Sequence, residues 1–78
     1  METTQLFITL ISSLSSQAWI QMGKIKNPVS DKIEKNLDGA SMSIDMLSMI
    51  QEKTKNNLDE YESKLLDQSL KDLKMNFV

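Results

Sequence analysis

Hydrophobic residues return every three or four positions in three separate runs, and this helical period constrains the fold more than any other feature of the sequence. In the middle run Ile33, Leu37, Ala40, Ile44 and Leu47 follow 4-3-4-3 spacing, which sets them within about 40° of one line on a helix. In the last run Leu66, Leu70, Leu73 and Phe77 repeat at 4-3-4 spacing, again within about 40° of one line. Leu65 and Tyr61 broaden one edge of that line. In the first run Leu10, Ile11, Leu14, Ala18 and Met22 fall within about 60° of Phe7 at about 100° per residue. Leu6, Ile8 and Trp19 widen the arc. Nothing reads as a strand hairpin, and no internal repeat or low-complexity tract interrupts the pattern.

The breaks between the runs carry the chemistry expected of helix ends. Gly23 to Val29 holds a Gly, two lysines and an Asn-Pro pair that disfavours helix at Asn27. Lys55-Asn56-Asn57 forms the second break, and Met1-Glu2 is a short tail. Asp31 with Glu34, and again Asp59 with Glu62, have the three-residue spacing of a capping box. Lys53 and Lys55 suit the negative end of the middle helix, and Asn56 is the best non-glycine residue there for a left-handed C-terminal position. The expectation is therefore an all-α chain, one domain over 1–78, with helices over about 4–22, 31–54 and 60–77. Short connections favour antiparallel neighbours, giving a hairpin stack. Its core is expected to comprise Phe7, Ile11, Leu14, Ile33, Leu37, Ile44, Leu47, Leu66, Leu70, Leu73 and Phe77.

From Thr3 to Gly23 the sequence carries no charge. A membrane span fits poorly, because ten of these 21 residues are Ser, Thr or Gln. A secretory signal lacks its positive leading region, since only Glu2 precedes the stretch. An interfacial amphipathic helix lacks Lys or Arg on its polar face. A helix packed on two sides fits best: an exposed helix normally carries charge on its back, whereas Gln5, Thr9, Ser12, Ser13 and Ser16 are small or uncharged.

The second segment has a similar peculiarity. Roughly opposite its apolar line stand Met42, Met46 and Met49, beside an acidic line of Glu34, Asp38, Asp45 and Glu52. Methionine is soft and adaptable and is favoured at contact surfaces, whereas the acidic line reads as solvated face. Size sharpens the point. A core in a chain of this length seldom supplies more than about 3–5 kcal/mol of net stability. With no Cys and no His, disulfides and the usual zinc, iron–sulfur and copper ligands are excluded as supports. Well-packed helices or oligomerisation remain. Ser12, Ser16, Trp19, Met42, Met46 and Met49 are the candidate contact surface, and a homo-oligomer, with or without a further protein partner, is the expected assembly. Peripheral membrane association through Phe7, Ile8, Ile11, Trp19 and Ile20 is the alternative. Gly39, inside the second helix, costs up to about 1 kcal/mol relative to Ala and suggests a close neighbour.

Other classes of function are poorly supported. Nine lysines against eleven carboxylates, with no Arg, leave neither the clustered positive field nor the forked donors that nucleic-acid readers use. Lack of His and Cys removes the commonest acid–base and nucleophilic groups. Ser63 and Lys64 adjoin but point about 100° apart on a helix. Asp45 and Glu52 lie on one face roughly 10.5 Å apart, too far to hold a cation without help from another chain. No Gly-rich phosphate loop is present. The expectation is a non-enzyme with no catalytic residue, no metal and no cofactor.

Several residues together carry a family resemblance. Asn36-Leu37, Ala40, Ile44-Asp45, Leu47, the EKTK run from Glu52 to Lys55, and Asn57-Leu58 form its centre. Leu65-Leu66, Leu70, Asp72-Leu73-Lys74-Met75 and Phe77-Val78 form its tail. Phe7, Leu14, Ala18, Gly23 and Asn27-Pro28 form its front. On these residues the chain resembles the short bacterial family called domain of unknown function eighteen forty-four. The resemblance covers nearly the whole chain and implies a small all-helical, cytoplasmic bacterial protein, with no activity to carry over. Asn56 stands where the family usually has Gly, Lys74 where it usually has Arg, and Gly39 where a helix former is usual.

Overall fold

The structure is a computed structural model that describes residues 2–77; Met1, in the short tail, and Val78 lie outside the described residues. Its elements are α1 (Thr3–Gln21), α2 (Leu37–Lys53) and α3 (Glu60–Asn76). All three pairs of helices touch, and α1 packs most extensively on α2. An isolated bridge between Asn27 and Lys32 is the only strand-like pairing among the described residues.

α1 begins without help. Glu2 at its N-terminus makes no side-chain capping bond and the first turn holds no acid, so the helix depends on packing of its apolar face. Its end is better specified. Gly23 takes φ +80°, its N–H donates to the Ile20 carbonyl at 3.0 Å, and the Lys24 N–H donates to the Trp19 carbonyl at 3.1 Å. These paired bonds form a Schellman motif, which needs the left-handed conformation that glycine adopts freely.

The start of α2 differs from expectation by six residues. The Asp31–Glu34 pair does not cap a helix. Asp31 sits at φ +58° and its N–H donates to the Asn27 carbonyl at 2.7 Å. Asn27 Oδ1 accepts the Val29 N–H at 2.9 Å. Glu34 Oε1 accepts from Asn27 Nδ2 at 2.9 Å and from Ser30 Oγ at 2.8 Å. These local bonds offer the backbone an alternative to the helical ladder, and Asn and Ser supply them readily. The helix starts instead at Leu37, where Asn36 Oδ1 accepts the Gly39 N–H at 3.0 Å.

The second connection and α3 follow the sequence reading. Asn56 adopts φ +69°, and the Thr54 hydroxyl donates to the Ile50 carbonyl at 2.6 Å as α2 ends. Asp59 and Glu62 complete a reciprocal box: the Glu62 N–H donates to Asp59 Oδ1 at 2.8 Å, and the Asp59 N–H to Glu62 Oε1 at 3.0 Å. That reciprocity gives the buried Glu62 a hydrogen-bond partner for its carboxylate.

The core consists of Ile11, Ala18, Met22, Ala40, Ile44, Leu47, Leu66, Leu70 and Leu73, with Phe7, Leu14, Trp19, Ile50 and Leu58 packed around them. Three expected core residues lie outside it. Ile33 falls in the connection and is 54% exposed; Leu37 opens α2 and is 37% exposed; Phe77 follows the last turn of α3. Ala18 and Ala40, both fully buried, let helices approach closely where a larger side chain would hold them apart.

The resulting body is flat, with extents of 37 × 27 × 15 Å. Its radius of gyration is 12.9 Å, against about 11.5 Å for a compact chain of this length. Its accessible surface is 5525 Å², whereas a folded monomer of this mass shows about 4,800 Å².

Candidate contact surface

α2 presents two faces of opposite fate. Ala40, Ile44 and Leu47 are buried against α1 and α3, while Met42, Met46 and Met49 are 61%, 40% and 47% exposed. The three methionines are spaced by four and three residues, so each stands about one turn from the next. Asp45 and Glu52 are exposed as well. The stripe is therefore an apolar strip bordered by carboxylates. Among the described residues no group of three or more His, Cys, Asp or Glu could hold a metal ion.

The serine face of α1 is a separate surface. Ser12 and Ser16 are exposed and line a shallow groove with Ile8, Ile20, Asn27 and Pro28. None of the three methionines lines it. Trp19 joins neither surface, being half-buried against the core. The six candidate residues thus divide into the methionine stripe, the serine groove and one core-packed tryptophan. Leu6 and Leu10, on the expected core arc of the first segment, are instead 54% and 49% exposed. They stand one turn apart near the start of α1 and add a further open apolar spot.

What sets α2 against α1 is a polar clamp. Ser43, 1% exposed within the apolar seam, donates through Oγ to Gln21 Oε1 at 2.7 Å. The Gln21 carbonyl accepts the Asn36 N–H at 2.7 Å. A Cβ on Gly39 would stand 2.6 Å from Asn36 Nδ2 and 2.8 Å from Gln21 Nε2, so glycine leaves room for both amides to pass. Sequence reasoning anticipated a close neighbour at Gly39 but had no signal for Ser43 or Gln21, since their pairing spans two helices.

The EKTK run lies at the end of α2 and in the turn after it. Glu52, Lys53 and Lys55 are exposed, Thr54 closes on Ile50, and Leu58 packs against the core. Beside it Gln51 Nε2 donates to Asp67 Oδ1, linking α2 to α3. These are helix-ending and helix-joining roles.

A family model described as Domain of unknown function (DUF1844) matches residues 4–78. The chain belongs to this family. In this DUF1844 chain the match takes in all but the first residue of α1, the whole clamp and both connections. No curated protein and no solved structure matches the chain. No helix among the described residues is long and apolar enough to cross a membrane.

Proposed function

We propose that this protein is an interaction module that self-associates through its helix faces, and that it is not an enzyme. The observation that carries the reading is the methionine stripe of α2, exposed on the side opposite a fully buried seam. Two physical arguments support it. Three solvent-facing methionines on one helix gain by being covered, at roughly 25 cal/mol per Å² of apolar area removed from water. The monomer also shows roughly 700 Å² more surface than its mass calls for, close to the roughly 800 Å² each partner contributes to a standard interface.

Sedimentation equilibrium across micromolar concentrations tests the reading. The expected result is a mass above the 8.9 kDa of one chain, with a melting temperature that rises with concentration. Met46→Lys places a charge in the middle of the stripe and should shift the assembly to monomer with helicity retained. A strict monomer whose melting temperature is high and independent of concentration counts against self-association. An unchanged mass for Met46→Lys clears the stripe of that role.

A further inference from the structure

The connection between α1 and α2 carries a feature that neither the core nor the methionine stripe uses. Residues 24–35 hold four lysines against two carboxylates, while the rest of the chain holds five lysines against nine carboxylates. Positive charge is gathered in this one segment of an acidic protein. Interleaved with the lysines are Ile25, Val29 and Ile33, which are 49%, 94% and 54% exposed. Val29 stands at the tip of the turn, held out by the Asn27–Lys32 pairing below it.

This shape is fixed from within. The Asn27 N–H donates to the Lys32 carbonyl at 2.8 Å, and Ile33 and Lys35 pass over Gly23. Glu34 spends its carboxylate inside the loop, on Asn27 and Ser30. The loop also leans on α1, since Asn27 and Pro28 line the groove with Ser12 and Ser16. α1 carries no charge from Thr3 to Gly23, so the helix behind the loop brings no carboxylate toward whatever the loop meets.

We propose that this connection is a docking loop for an anionic lipid surface. The three aliphatic side chains enter the interfacial layer and the four lysines meet the headgroups. Lysines near such a surface are each attracted to it, and their long stems allow the charge to stay wet while apolar neighbours sink. Lipid fits the loop as a unit, since the headgroup layer takes the lysines while the acyl boundary covers Ile25, Val29 and Ile33; the carboxylate-bordered methionine stripe of a second copy is the competing occupant that the test separates. The proposal is independent of self-association and uses a different part of the molecule.

Co-sedimentation of the full chain with vesicles tests it, using phosphatidylglycerol-rich vesicles against pure phosphatidylcholine. Partitioning should be at least about tenfold stronger on the anionic vesicles and should weaken steeply with salt. Val29→Asp and the double variant Lys26→Glu/Lys32→Glu, all at exposed positions, should each lower partitioning by about tenfold or more. Their helicity and mass should match the parent chain. No sedimentation with anionic vesicles overturns the proposal, as does equal binding to neutral ones or binding that both variants leave intact. Loss of assembly in Val29→Asp, with no vesicle binding by the parent chain, assigns the loop to a second copy and also overturns it.

Discussion

The two connections of this fold solve the same problem at different lengths. Six residues, 54–59, join α2 to α3, and fifteen, 22–36, join α1 to α2. Each contains one non-glycine residue with a left-handed backbone, Asn56 in the first and Asp31 in the second. Each also contains an Asp followed three residues later by Glu. Only the short connection turns that spacing into a capping box. There, stop and start signals stand side by side, and every bond is made between near neighbours. In the long one Asn27 and Ser30 capture Glu34 first, and the helix waits for Asn36, whose own N–H is held by Gln21 on another helix. Identical local spacing therefore has two outcomes, decided by what lies upstream and by a contact across the fold.

The comparison can be broken or sharpened in order of expected effect. Leu47→Ala removes a fully buried side chain from the seam that both connections serve, and should cost about 2–5 kcal/mol in urea denaturation. Such a loss would leave little folded protein in a chain this small, and a cost below about 1 kcal/mol would show that the seam collapses freely. Next come the two caps. Asp59→Ala and Asn36→Ala should each cost about 1 kcal/mol, read by thermal or chemical unfolding. Being remote from each other in sequence and on different helices, they should add in the double variant within about 0.5 kcal/mol. Non-additivity beyond that would mean that the connections are not independent. The smallest effect belongs to Gly39→Ala. Despite alanine's better helix propensity it should destabilise, by about 0.5–1 kcal/mol, because the Asn36 and Gln21 amides must move. In the Asn36→Ala background that penalty should shrink. A stability gain for Gly39→Ala alone would show that the clamp yields without cost.

Much of this architecture could be read from residue order. The expected bounds of the first and third helices fall within one residue of those observed, because their apolar period is unbroken and their ends carry Gly23 and Asp59. The stripe of Met42, Met46 and Met49 follows from angular arithmetic alone, since residues opposite a buried seam must face away from it. Three things were not legible. Asp31 and Glu34 look like a helix start unless the Asn27 side chain is known to hold Glu34 and the Asn27 carbonyl the Asp31 N–H. Ser43 looks like a helix-surface residue until Gln21 is placed beside it. Leu6 and Leu10 lie on the core side of the first helix by angle, but they project where no other helix covers them.

Gln21 and Asn36 pin the two feet of the long connection to each other, so the setting of α1 against α2 does not depend on how much backbone lies between them. Closing a longer flexible span costs only about 0.6 kcal/mol for each doubling. The turn around Val29 is thus a natural splice point: a guest peptide inserted there would be displayed on a hinge-free pedestal, with the helices beneath it undisturbed.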